Sequence, residues 1–447
     1  MPLGQALEFV AEAPGLETFD NFRSHIDPSW IQAALESTGT ASMRRRRLPA
    51  EQVIWLVLGI ALYRDRSIAH VADSLDLALP GSSGPTASSS AVTQARARLG
   101  DEPMEWLFRT CSDEWAHKSA DRHRWRELAV YGVDGTTLRV PDSDENREHF
   151  GLPSGGPRGL AAYPQLRLVC LAALRSHLIA AASFGPYSTG ENTYAADLWS
   201  AVPDRSLCIL DRNFLSAALL LSLEQKGHDS HWLIRAKTTS KWEELERLGK
   251  NDYLVEMKVS PQARSKDPSL PQTWRARAIR YQIRGSKPQW LLTSLLDPQA
   301  YPAREIVEIY HERWEIEMGY DEIKTDMLDR EETIRSKSPV GIRQELWGIL
   351  LAFNLVRLEM ERIADEAGVE PTRISFVAAQ RFICDEWMWS AGAAPGTIPR
   401  HLKKLRATIK RFILPKRRSQ RRYPRAVKIK MSSYPRKRRS SQDRGAK

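Results

Sequence analysis

Cysteine is scarce in this chain: four in 447 residues, Cys111, Cys170, Cys208 and Cys384, too few and too scattered for a disulfide scaffold. There is no Cys-x-x-Cys pair and no Cys/His spacing suited to zinc. Long apolar runs are missing too. The longest, Val53 to Tyr63, is bounded by Glu51 and Arg64 and falls well short of the ~20 residues that span a bilayer. The first residues, MPLGQALEFVAEAPGLE, lack a cationic segment and place Glu8 and Glu12 where a signal peptide would be apolar. These absences predict reduced thiols, a cytoplasmic setting and no membrane anchor. No internal repeat is present.

Acidic charge is almost absent from one end. Beyond residue 400 there are 19 lysines and arginines and a single acid, Asp443. Of the formal net charge of +11, the last 47 residues therefore carry +18 and the first 400 carry −7. The basic character is a property of the tail, with a smaller island at Arg44 to Arg47. A segment of this composition, KRRSQRR then PRKRRSS, buries too little apolar surface to fold alone, which predicts a flexible tail at 401–447. Its expected role is sequence-independent contact with phosphates, and the alternative is solubility alone.

A chain of this length exceeds a single core, so several domains are expected. Residues 1–120 read as an all-helical N-terminal domain. Pro49 opens an apolar-periodic helix through Tyr63, Ser67 can cap a second through Leu77, and Gly81 to Ser90 is a loop. A short helix from Ser90 to Leu99 is closed by Gly100. It presents Gln94, Arg96 and Arg98, either to a DNA groove or simply as the charged face of a packing helix. From about residue 127 strands take over: Leu128 to Val133, Leu166 to Leu174, Leu178 to Phe184 and Leu207 to Leu210, with His231 to Ala236 later. Helical patterns fall at Glu191 to Val202 and Ser216 to Lys226. This mixture predicts an α/β core over 127–237. Residues 238–300 carry three strands without helices, Tyr253 to Val259, Trp274 to Ile283 and Trp290 to Leu296, which reads as a β-rich insertion. The core resumes over 301–400, where a largely apolar helix runs from Val340 to Ala364.

Within that second part, residues 310–324 read YHERWEIEMGYDEIK and fit Tyr-x2-Arg-x3-Glu-x6-Lys as Tyr310, Arg313, Glu317 and Lys324. At about 100° per residue their offsets fall within roughly 60° of arc, so one uninterrupted helix would place all four on one face. A carboxylate flanked by two cations and a phenol suits a metal ion held beside a phosphodiester. Simple i,i+4 pairing of Arg313 with Glu317 is the plainer use of such a face.

Two more acids have conspicuous positions. Asp134, in VYGVDGTTLRVPDS, follows an apolar strand, and Asp211, in LCILDRNF, ends another. A carboxylate at a strand end has its geometry set by the sheet. Each also has a structural use: Asp134 in an Asp-Gly turn, Asp211 as a cap for Asn213 or for the helix that begins near Ser216. Asp142, Asp144 and Glu145 lie past Pro141 in a polar loop and rank below Asp134. Asp321, one turn after Glu317, can assist a metal or pair with Lys324.

Together DGTTLRVPDS, LDRNF and YHERWEIEMGYDEIK resemble the three catalytic motifs of the DDE transposases of bacterial insertion sequences, closest to the insertion-sequence-four family. The resemblance covers about residues 30–430. It implies an RNase-H-like core with a β-rich insertion, preceded by a helical domain that binds DNA ends and followed by helices and the basic tail. It also implies that Asp134, Asp211 and Glu317 are the catalytic acids and hold two Mg²⁺ ions, for which Mn²⁺ can substitute. The implied substrate is double-stranded DNA, bound at the terminal inverted repeats, cleaved by hydrolysis and joined to target DNA, with a homodimer in the synaptic complex and no membrane involved. The implied setting is the bacterial cytoplasm, at the nucleoid. Tyr310, Arg313 and Lys324 would grip phosphates of the repeat. Trp290 looks like the family position on which an extruded base stacks during hairpin formation, with core packing as its alternative and Trp232 and Trp274 as rivals. A nuclease without joining activity, or a repeat-binding protein without catalysis, are the competing functions.

Overall fold

The computed structural model describes residues 26–41, 48–74, 88–153, 159, 161–283, 287–328, 333–392 and 397–415. The Arg44 to Arg47 island, most of the Gly81 to Ser90 loop and residues 416–447 of the basic tail lie outside the described residues.

Among the described residues, five helices come first: α1 (Pro28–Ser37), α2 (Ala50–Leu62), α3 (Ile68–Ser74), α4 (Ser89–Leu99) and α5 (Glu102–Arg122). Their ends follow from local chemistry. Ser88 accepts from the Ala91 amide at the start of α4, and Gly100, at φ +70, closes it in a conformation that favours glycine. The α4 face is only partly as read from the sequence. Gln94 and Arg98 are exposed, but Arg96 turns inward, donating to Gln344 Oε1 at 2.8 Å and Ser336 Oγ at 3.0 Å. Apolar from Val53 onward, α2 is buried from there to Leu62.

The core is one nine-stranded sheet, and its order decides what lies next to what. The strands are β1 (Ala129–Arg139), β2 (Gln165–Ala173), β3 (Ile179–Pro186), β4 (Ser206–Leu210), β5 (Ser230–Arg235), β6 (Glu243–Gly249), β7 (Asp252–Lys258), β8 (Thr273–Tyr281) and β9 (Gln289–Thr293). They run in the order β3-β2-β1-β4-β5-β9-β8-β7-β6. β1, β2 and β3 form an antiparallel meander, while β4 and β5 continue the sheet parallel to β1. That is the RNase-H-like arrangement. Helices α6 (Asp144–Phe150), α7 (Glu191–Leu198) and α8 (Ala217–Lys226) fill the connections between these strands.

Two expectations are corrected. Asp134 is not at a strand end: β1 runs on to Arg139, because β2 keeps pairing with it as far as Arg139 opposite Gln165. What ends near Asp134 is the other neighbour, since β4 pairs with β1 only up to Val133 opposite Leu210. The insertion has four strands rather than three, the extra one being the exposed, charged β6. The insertion is continuous with the core, for β9 pairs antiparallel with β5 and joins β6–β9 to the core ladder. The short helix α9 (Pro261–Lys266) connects β7 and β8.

The chain then returns through α10 (Ala303–Tyr310), a 3₁₀ turn His311–Arg313, α11 (Trp314–Asp321) and a π-helical stretch Glu322–Met327. The motif therefore lies on one helical path, but not on one regular α-helix. α12 (Pro339–Ala367) follows, with Ser338 accepting from the Gly341 amide, Pro339 at its first position and Gly368 at φ +64 closing it. It crosses α2 so closely that a Cβ on Gly348 would lie 2.5 Å from Val57 Cγ1. α13 (Phe376–Gly392) and α14 (Ile398–Ile409) complete the described chain. The start of the basic segment is thus folded: Arg406 pairs with Glu359 at 3.2 Å (Nη2 to Oε2) and Lys410 with Glu366 at 2.6 Å. No helix among the described residues is long and apolar enough to cross a membrane. The four cysteines are free thiols.

Candidate active site

Three supports carry the three acids. Asp134 rides on the middle of β1, and its Oδ1 accepts from the Gly135 amide at 2.8 Å. Asp211 is the first residue after β4, at φ −77 and ψ 154, and its side chain makes no capping bond to the 3₁₀ turn that begins at Arg212. Glu317 sits on α11, with Oε1 2.8 Å from Arg313 Nη1.

Asp134 feels the charges of the other two acids. Burial pushes the Asp134 carboxyl up to about 7. The Gly135 amide and Arg313 pull it down, and the charges of Glu317 and Asp211 push it further up. An acid raised in part by two other acids is one in which negative charge is crowded, and a cation relieves that crowding. Three carboxylates are also the hard oxygen donors that divalent ions of the magnesium and calcium type prefer. Among the described residues, no group of three or more acidic, imidazole or thiol side chains is gathered closely enough to hold a metal ion. The donors fit a hard divalent cation by type.

The cations and phenol of the motif are more deeply set than a solvated helix face would be. Arg313 is buried and also lies over the Trp314 ring, 5.0 Å from its centroid. Burial works against its charge, but Tyr310, Glu317 and Asp211 outweigh it and hold the guanidinium above its ordinary range. Tyr310 is 6% exposed. Burial pushes its phenol up to about 12, against the pull of Arg313 and Arg235, with Tyr281 and Asp211 adding to the rise. Lys324, in the π-helical stretch, points back to the sheet, its Nζ 3.4 Å from Thr136 Oγ1 on β1. Asp321 Oδ1 accepts from Thr325 Oγ1 at 2.8 Å. Asp142 pairs with Arg147, as does Asp144 at 3.5 Å, so both belong to α6 and its approach.

Of the three tryptophans weighed, Trp232 is fully buried and Trp274 nearly so, 5.4 Å apart in the core. Trp290 on β9 is half-buried, with Trp242 at 5.3 Å and Tyr253 at 5.9 Å between ring centroids. It forms an aromatic platform on the insertion.

Sequence reasoning missed three neighbours. Arg235 ends β5, next in the sheet to β4 and Asp211; the strand-end logic applied to the acids would have found it. Glu191, first residue of α7, lies against Gly135, where a Cβ would be 3.0 Å from its carboxyl carbon. Tyr320 bonds to Asp134 itself, its hydroxyl donating to the Asp134 carbonyl at 2.6 Å. Nothing in the linear pattern marks these last two.

Comparison with known proteins finds families and relatives of this chain. The family described as insertion element 4 transposase N-terminal matches residues 16–109, and the transposase DDE domain family matches residues 125–355. The Escherichia coli (strain K12) transposase InsG for insertion sequence element IS4 is 38% identical over 439 residues, covering 97% of this chain and 98% of its own length. The putative transposase InsZ of the same organism is 38% identical over 216 residues, 48% of this chain and 71% of InsZ. A solved piggyBac transposase synaptic complex with hairpin DNA aligns over 93% of this chain and 86% of that one, at a TM-score of 0.40 and 13% identity, a level that carries no argument. DDE transposases use divalent metal ions and act on DNA. With both family regions matched in order and an end-to-end relative at 38% identity, this chain belongs to the insertion element 4 family of DDE transposases and is a DNA transposase of an insertion sequence.

Proposed function

We propose that Asp134, Asp211 and Glu317 are the catalytic acids of this transposase and hold two Mg²⁺ ions, with Mn²⁺ as a working substitute. The observation that carries this reading is the crowding of charge at Asp134, raised in part by the other two acids across three separate elements. The bound ions supply positive charge against the phosphodiester and its leaving oxygen.

The chemistry is in-line displacement at phosphorus. In hydrolysis water forms the new P–O bond and the 3′-oxygen leaves. In joining, the freed 3′-hydroxyl attacks a target phosphodiester and a target 3′-oxygen leaves. The two steps differ only in nucleophile, so one site serves both and no covalent enzyme intermediate is needed. Arg313 and Lys324 bind phosphates beside the acids, Tyr310 hydrogen-bonds a phosphate near the cut, and Trp290 stacks an extruded base. The helical domain at 1–120 recognises the terminal inverted repeats, and the basic tail adds contacts that do not depend on sequence. Two ends must meet before joining, so the working form is a homodimer holding two repeats.

The test supplies labelled DNA carrying the terminal repeats, Mg²⁺ and a plasmid target, and compares wild type with Asp211→Ala. Joined products that disappear in the variant support the proposal. Cleavage without joining would make the protein a nuclease, and binding alone a repeat-recognition protein.

A further inference from the structure

Tyr320 is a large polar side chain that the motif does not name, three residues after Glu317 and so on nearly the same face of α11. It is 7% exposed. Its hydroxyl accepts from the Cys170 amide at 3.1 Å and donates to the Asp134 carbonyl at 2.6 Å. Asp134 and Cys170 are direct partners across β1 and β2. One hydroxyl from the helix of one acid is thus inserted at the backbone rung that carries another. The helix reaches it because β1 is open there. Gly132, two residues before Asp134 and on the same side of the strand, would carry a Cβ 3.4 Å from Ile316 Cβ and 2.5 Å from Leu174 Cδ2. The absence of a side chain at Gly132 lets α11 lie close against the strand.

We infer that Tyr320 is a positioning residue for the transposase reaction, setting the spacing between Glu317 and Asp134 by tying α11 to the Asp134–Cys170 rung. This rests on the assignment of those two acids above. Without the hydroxyl, α11 keeps its apolar contacts and the pairing of Glu315 with His177 at 2.9 Å, which hold it to the turn between β2 and β3 but not to the Asp134 rung. A catalytic group displaced by about 1 Å can lose about 100-fold in rate.

The test uses the full-length protein and repeat-bearing DNA with Tyr320→Phe, which deletes a single oxygen atom. Repeat binding without divalent ion should stay within about twofold, and the melting temperature should move by less than about 4 °C. In metal-free protein, amide exchange at Cys170 should speed up at least about tenfold. Single-turnover cleavage at saturating DNA should fall about ten- to a hundredfold, with the half-saturating DNA concentration unchanged. A Tyr320→Phe protein that cleaves as fast as wild type would overturn the inference. So would loss of cooperative melting, which would assign the hydroxyl to the fold rather than to the site. Asp134→Asn keeps the two levels apart. If it cleaves normally, the assignment of the acids fails and this inference with it; if it is inactive beside a fully active Tyr320→Phe, only the positioning role is lost.

Discussion

Arg277 and Asp252 form a buried two-point ion pair, Nε to Oδ1 at 2.8 Å and Nη2 to Oδ2 at 2.6 Å, at the heart of the insertion. The remaining guanidinium nitrogen donates to the carbonyls of Tyr301 at 2.7 Å and Leu295 at 3.2 Å, tying β7 and β8 to the chain that leads into α10. Truncating one partner leaves the other charge buried and uncompensated. Arg277→Met should therefore cost about 3–5 kcal/mol, read as a fall in the denaturant midpoint, and replacing both residues with apolar ones should recover a large part. A single variant as stable as wild type would show the pair to be dispensable.

Lys324 separates phosphate contact from catalysis. If it grips one phosphate, Lys324→Met should weaken repeat binding and lower the slope of log Kd against log salt by about one, with the same loss on every repeat sequence. An unchanged slope would confine Lys324 to its contact with Thr136.

For Trp290 the discriminating measurement is a ratio. Trp290→Ala removes a stacking face worth about 1–3 kcal/mol per base, so hairpin formation should slow about tenfold or more while repeat binding changes little. Equal losses in both would assign the ring to packing against Trp242 and Tyr253 instead.

Acid sensitivity should track Glu322. Burial alone would raise its carboxyl, but Arg357 and His177 outweigh burial and hold it below its ordinary value of 4.5. The folded chain then binds this proton less tightly than the unfolded chain. The stabilisation is complete above about pH 4.5 and is lost as the pH falls through the lower folded value. The melting temperature of wild type should thus exceed that of Glu322→Gln by a constant margin from pH 7 to about 5, and the margin should shrink below that. A margin that widens on acidification would reverse the sign of this linkage.

How much of this was legible depended on where each signal resides. β2, β3 and β4 announce themselves as apolar runs, and α12 and α4 by periodicity and caps, because burial and capping act on neighbours in sequence. β6 does not: in EELERLG it exposes its charges and is held by β7 alone. The polar half of β1 was hidden for a related reason, since Gly135 to Arg139 are strand only because β2 pairs with them. The break of the motif helix into 3₁₀, α and π segments accompanies contacts from distant residues, Arg357 with Glu322 and Tyr320 with β1. Asp134 and Asp211 were visible because each follows or interrupts an apolar run, and Glu317 because its spacing from Tyr310, Arg313 and Lys324 is local in sequence. Tyr320 and Glu191 were not, because what makes them neighbours of Asp134 is the approach of helices from elsewhere in the chain.

The joining of β9 to β5 also bears on how this protein can be cut. A deletion through β6–β9 would leave the backbone groups along one side of β5 without partners, a flat apolar edge open to pairing with any other chain. The intact sheet instead ends on β6, whose Glu243, Glu244 and Glu246 place like charges where a second copy would have to dock. The outermost strand, whose sequence reads least like a strand, is thus the one that guards the molecule against self-association.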